Sequence, residues 1–193
     1  MGTLVVACGA LAREVTALIA ATGQDQLRLT CLPAGLHNHP DRIPDALRKK
    51  IQTERRDGER VVVMYGDCGT GGGIDEVLAE FGASRIPGDH CYAFYAGETD
   101  FEKLMDEEPG SFFLTDYLVR QFDTLIIQGL GLDRYPQLLP DYFGNYKRLV
   151  YLAQTDDADL DLQAEKAAAR LELEYHKRRT GYGGLADFMT PAA

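Results

Sequence analysis

Cys68, His90 and Cys91 fall within the stretch YGDCGTGGGIDEVLAEFGASRIPGDHCYAF, residues 65–94, in glycine-marked loops around one short helix. Thiolates and imidazoles are the side chains that borderline and soft metals such as zinc or iron prefer. A thiol near a histidine is equally the pairing of a cysteine nucleophile with its base. Cys68 lies between Gly66, Asp67 and Gly69, a polar turn that makes poor core. Cys31, inside the apolar run LRLTCLP, reads instead as a small buried residue.

The segment GDCGTGGG leads into a helix, so the amides of Gly69, Gly71 and Gly72 could receive an anion such as phosphate or carboxylate. Glycines that only permit a tight turn are the competing explanation. The third glycine of a GxGxxG pattern would fall on Ile74 and no GK[ST] follows, so no nucleotide is implied. In LHNHP, His37 and His39 point apart if the loop is extended. His37 is the preferred ligand, with His39 a surface or supporting group.

Short apolar runs alternate with amphipathic ones over the first third of the chain, the pattern of parallel strands joined by crossover helices. Strands are expected at 3–8, 27–33 and 60–66, with a brief edge strand at 83–88. Helices are expected at 11–23, ending on Gly23, at 43–58 with Pro44 in its first turn, and at 72–82, ending on Gly82. Leu114, Leu118, Phe122, Leu125 and Ile126 are spaced as on a helix, with Thr115 or Asp116 as its N-cap. A short helix from Tyr135 to Phe143, a strand at 146–154, a helix at 157–173 and a last strand in EYHKRR complete the chain. The expectation is one α/β domain over 1–193: an open, mainly parallel, Rossmann-like sheet with crossover helices and an added helical layer in the second half.

On that scaffold Cys8 ends the first strand, His37 and His39 follow the second, Cys68 follows the third, and His90 with Cys91 follow the fourth. Ligand crevices of open parallel sheets lie outside the carboxyl ends of the strands. These six side chains are therefore expected to converge, although no CxxC or HxxxH spacing marks them. Three or four of them would fill a metal shell, drawn from Cys8, His37, Cys68, His90 and Cys91. Without a metal, Cys68 at a helix N-terminus would act as a nucleophile, with His90 or His37 as its base. Tyr117, Asp133, Arg134, Tyr135, Tyr142, Asn145 and Tyr146, with Arg179, Thr180 and Tyr182, are polar and aromatic enough to line a small-molecule pocket, or are ordinary helix packing.

Thirty acidic against twenty basic side chains give a formal net charge of −10, which opposes binding to phosphate backbones and anionic lipid. The basic clusters RKK, ERR and HKRR are short solvated faces. No run reaches the roughly 20 apolar residues of a membrane span. The opening MGTLVVACGALAREV carries Arg13 and Glu14 inside its apolar stretch and does not read as a signal peptide, which favours the cytoplasm and reduced cysteines.

Taken together, ACGALAREV, LHNHP, YGDCGTGGGID, GDHCYAF, FFLTDYLVRQFD, YFGNYKRLVYLAQTDD and TGYG resemble the DUF1638 family over nearly the whole chain. Members of that family are commonly encoded near corrinoid-dependent methyltransferases, corrinoid proteins and their reductive activators. The resemblance implies a place in one-carbon or methylated-amine metabolism, with a corrinoid protein or methyltransferase as partner. It carries over the positions Cys8, His37, Cys68, His90 and Cys91. The corrinoid-ligating DxHxxG pattern is absent, so the chain is not expected to be the cobalamin carrier. Three functions follow as expectations: a zinc or iron thiolate enzyme acting on a small molecule, a metal or corrinoid delivery factor, and a metal-free transferase or hydrolase using Cys68.

Overall fold

A computed structural model describes residues 2–24 and 26–189. The chain is α/β and forms two compact units, each around its own all-parallel sheet.

The first unit holds residues up to Cys91 and those from Gly184 on. It runs β1 (Thr3–Cys8), α1 (Ala12–Thr22), β2 (Leu27–Leu32), α2 (Ile43–Glu54), β3 (Arg60–Met64), α3 (Gly73–Phe81) and β4 (Ser84–Arg85). The sheet order is β2-β1-β3-β4, with Thr3 opposite both Leu27 and Arg60. Leu4, Val5, Val6 and Ala7 are buried without interruption, as in a central strand covered on both faces. Gly23 and Gly82 end α1 and α3 in the left-handed conformation, each returning its N–H to the last turn, which a residue with a Cβ would do only at a cost. The expected edge strand at 83–88 pairs over Ser84–Arg85, because Pro87 follows and has no N–H to donate.

The second unit spans Tyr92–Gly183. The helix α4 (Cys91–Ala96) leads into α5 (Glu98–Glu107), β5 (Ser111–Thr115), α6 (Asp116–Arg120) and a π-helical segment, Phe122–Gln128. Next come α7 (Leu139–Phe143), β6 (Arg148–Ala153), α8 (Ala158–Arg170) and β7 (Glu174–Arg179). After it α9 (Gly183–Met189) takes the chain back to the first unit. The helical spacing read through Leu114 is interrupted here: SFFLT is a strand in register with β6, Ser111 opposite Arg148. An apolar run this short fits either period, and its pairing to β6 settles it. The two strands expected in the second half, β6 and β7, thus join the unexpected β5 in a sheet of their own, β5-β6-β7, rather than extending the first.

Period-two alternation sorts this sheet's side chains. Leu114, Leu149, Tyr151 and Ala153 pack with Leu160, Ala164, Ala167 and Ala168 of α8, while Phe113, Val150 and Leu152 pack with Phe101 and Leu104 of α5. Thr115 caps α6 by accepting from the Leu118 amide. Asp116, only 1% exposed, accepts from the Tyr151 hydroxyl (2.8 Å), the Gln154 and Thr155 amides (2.9 and 3.1 Å) and the Thr155 hydroxyl. Burying a carboxylate is tolerated here because its lone pairs are filled.

Candidate functional site

In the first sheet the chain leaves β1 for β2 on one side and returns to β3 on the other. Loops after β1 and β3 therefore diverge, leaving the crevice where parallel α/β sheets bind ligands. Cys8 is the last residue of β1, Tyr65 to Cys68 follow β3, and Cys91 follows β4.

The sulfurs of Cys68 and Cys91 lie 3.4 Å apart. Two backbone segments, 23 positions apart in sequence, are tied together to achieve this. The Cys68 amide donates to Asp89 O (2.8 Å) and the Asp67 amide to Gly88 O (3.3 Å). Gly66 makes the approach possible, since a Cβ there would stand 2.9 Å from Asp89 O and 3.0 Å from His90 N. Arg85 holds the second segment by donating to Ile86 O (3.2 Å) and Gly88 O (2.9 Å), and is itself fixed by Asp75 at 2.7 and 2.9 Å.

The turn carrying Cys68 is closed from within. Asp67 accepts from the Thr70 hydroxyl (2.7 Å) and the amides of Gly71 (3.1 Å) and Gly72 (2.8 Å). The Gly72 amide is the main reason that its carboxyl is held below the usual range. The amides of Gly71 and Gly72 thus already serve an internal carboxylate, and Gly69, Gly71 and Gly72 all adopt positive φ, which accounts for them as turn formers. Cys68 itself has φ +51, a left-handed conformation that is uncommon for a residue with a side chain.

The two thiols are electrostatically unequal. The Cys91 side chain, and then the backbone amides of Cys91 and Gly66, stabilise a thiolate on Cys68 and pull its pKa below the ordinary thiol range against the effect of burial. Cys91 is pushed well above that range, first by its hydrogen bond to Cys68 and then by burial. The two sulfurs share one hydrogen bond, for which either can be the donor. Cys8 is buried, which raises its pKa, and feels the charges of Cys68 and Cys31.

Tyr65 stands behind these sulfurs. It is 2% exposed, and its buried hydroxyl makes no hydrogen bond of regular geometry among the described residues. Burial first, then the Cys8 thiol beside it and the charges of Cys91 and Cys68, hold it protonated far above the usual tyrosine range.

His37 sits in a one-turn helix, Ala34–Asn38, after β2. His37 and His90 are both exposed; the partial desolvation its surroundings impose, and then the neighbouring His90 imidazole, lower the His37 pKa. His90 directly precedes Cys91, and His39 is exposed beyond the turn. Cys31 is half-buried in β2, where desolvation raises its pKa. Two thiols are thus in contact, a third is close enough to be felt, and the imidazoles of His37 and His90 neighbour each other. No group of three or more His, Cys, Asp or Glu is placed to hold a metal ion among the described residues. The donor set present, two thiols in contact, is half of what a tetrahedral zinc site requires.

Tyr65, Gly66, Asp67 and Asp89 escaped sequence reasoning as site-forming residues. Asp67 had a signal, an aspartate opening a glycine-rich turn; Asp89 acts through its backbone and had none. In the second unit, Arg179 is engaged by Asp156 and by the carbonyls of Ala153 and Gln154. Tyr135, Tyr142 and Tyr146 are exposed, and Tyr146 packs edge-on against Phe112.

No helix among the described residues is long and apolar enough to cross a membrane. No curated protein and no solved structure matches this chain. The family described as protein of unknown function (DUF1638) matches residues 31–189, a span that holds His37, Cys68, His90 and Cys91 and begins after Cys8. With more than four-fifths of its length inside that match, the chain belongs to the DUF1638 family.

Proposed function

We propose that the chain is a thiol-dependent transferase or hydrolase in which Cys68 is the nucleophile and Cys91 its hydrogen-bond donor. The observation that carries this reading is the 3.4 Å contact between the two sulfurs at the carboxyl edge of the first sheet. A thiolate is the nucleophilic form of cysteine, and a donor beside it increases the thiolate fraction at neutral pH. Attack of Cys68 on an electrophilic carbon of a small molecule would form a thioester or thioether, with the leaving group departing with its electron pair. Acceptor or water would then release the group and restore the thiol. His37 and His90, which lie near enough to influence each other, are the imidazoles of this loop region that could move protons. One-carbon or methylated-amine metabolism, the setting that the resemblance implies, is the one in which such a reaction is to be sought.

The test is iodoacetamide modification of metal-free protein at neutral pH, with the modified residue mapped by mass spectrometry. Cys68 is expected to react first. Modification at Cys31 ahead of Cys68, or none at Cys68, would overturn the assignment.

A second reading is favoured by the sulfur spacing. Two thiolates on one tetrahedral zinc stand about 3.8 Å apart, given metal–sulfur bonds of about 2.3 Å, close to the separation found here. Cys68 and Cys91 would then hold zinc or iron, which would supply Lewis acidity. Cys8, His37 or His90 would have to move to complete the shell, whether the protein uses the metal or delivers it, or a corrinoid, to a methyltransferase. About one equivalent of zinc or iron in protein purified without oxygen or affinity tag, lost in Cys68→Ser, would favour it; its absence from both would remove it.

A further inference from the structure

We propose that Cys68 and Cys91 form a redox-active dithiol that reduces a small disulfide by thiol–disulfide exchange. The proposal rests on the reading of Cys68 as the nucleophile and names sulfur, rather than carbon, as the atom attacked.

Three features of the site argue for it. The sulfurs are already in van der Waals contact at 3.4 Å, so a disulfide of about 2.05 Å requires them to close by roughly 1.4 Å, within reach of side-chain rotation. Their backbones are held in register by the bonds from Cys68 to Asp89 and from Asp67 to Gly88, so closing the bond does not require distant segments to find each other. Both cysteines are free, and both are half-buried rather than sealed in core. Cys8 is less suited as the second thiol, because it lies buried at the end of β1. A carbon nucleophile alone needs no second thiol poised to resolve an adduct; exchange does.

The step balances as two displacements. The Cys68 thiolate attacks one sulfur of R–S–S–R; the substrate S–S bond breaks, a Cys68–S–S–R bond forms, and RS⁻ leaves and takes up a proton from solvent. Cys91 then attacks the Cys68 sulfur, and its proton goes to the second departing RS⁻. Two protein thiols are oxidised to the Cys68–Cys91 disulfide, and one substrate disulfide is reduced to two thiols. The formal charge of −10 disfavours anionic disulfides, so an uncharged one is the suitable probe.

The experiment mixes fully reduced chain with bis(2-hydroxyethyl) disulfide, quenches in acid, alkylates the remaining thiols and maps every cysteine by peptide mass spectrometry. Wild type is expected to release two thiols and to carry a Cys68–Cys91 crosslink. Cys91→Ala and Cys91→Ser, each checked for native circular dichroism, are expected to stop after one thiol with a mixed disulfide on Cys68. If wild type stops at that mixed disulfide, or if the crosslink joins Cys68 to Cys8, the dithiol is overturned while Cys68 remains the nucleophile. If Cys68 is left unmodified while another cysteine reacts, both readings fall.

Discussion

Cys68 and Glu172 are the non-glycine residues with positive φ among those described, and only Cys68 belongs to a site of reactive side chains. A left-handed conformation costs a side-chain-bearing residue about 1–2 kcal/mol, and such strain persists where its surroundings impose it, often at functional positions. Here Asp67 closes the turn behind the cysteine and Asp89 O holds its amide. The thiolate's other support is Cys91. Replacing Cys91 by alanine removes the largest influence lowering the Cys68 pKa, so that pKa must rise. The pH profile of Cys68 alkylation is expected to shift to higher pH in Cys91→Ala, with a slower rate at pH 7; an unmoved profile would show that the backbone amides alone hold the thiolate. Cys31, read from its apolar run as ordinary packing, is half-buried in β2; the convergence of Cys68 and Cys91 at one sheet edge follows from topology, whereas their direct sulfur contact was beyond sequence reasoning. Their contact depends on the missing Cβ of Gly66 and on one backbone conformation, and neither has a spacing signature.

Among elements, β1, β3 and the glycine-capped helices α1 and α3 were legible because long apolar runs, Gly23 and Gly82 leave little choice. Once those strands are parallel, the placement of Cys8 and Cys68 at one edge follows from topology alone. Strand β5 was not legible, since Phe112, Phe113 and Leu114 satisfy a helical period as easily as an extended one until β6 lies alongside. Gly66 is where element geometry becomes site geometry. In Gly66→Ala the new methyl would have to push the 89–90 backbone away, a strain of about 1–3 kcal/mol. The expected result is a lowered denaturant midpoint together with loss of the Cys68–Cys91 crosslink; loss of stability with the crosslink intact would mean that the segments yield without parting. In the second unit, Asp116→Ala strands the donors of Tyr151, Gln154 and Thr155 and is expected to cost about 2–4 kcal/mol, read from urea unfolding. Cys68 alkylation under native conditions should persist in that variant, because the thiol pair is built from first-unit residues.

At the scale of the whole molecule, acid stability is set by carboxylates whose folded pKa values are lowered: Glu59, Asp67, Asp75, Glu80, Glu108 and Asp156. Glu59 accepts from both Arg28 donors at 2.9 Å and from the Arg56 amide, which takes it from 4.5 to about 2. A depressed carboxylate stabilises the fold above its unfolded pKa, and that contribution is lost as pH falls through the folded value. Stability is therefore expected to decline between pH 4.5 and about 2, with a shallower decline in Glu59→Gln, measured as urea midpoints across that window. A steeper decline in the variant would contradict the sign. The same tally of charge, −10 at pH 7, makes weak retention on DNA the expected behaviour.

The first unit is assembled from two separated stretches, one ending at Cys91 and the other beginning at Gly184. During synthesis the ribosome delivers all four strands of its sheet, and every thiol, before any residue of the second unit. Leu185, fully buried in α9, arrives only after the whole of β5-β6-β7 has been made. Domains that fold as they emerge finish from the amino end, but this unit must wait for its partner to be translated. The nascent chain therefore holds four free cysteines in an unfinished lobe for most of its synthesis, until α9 is in place.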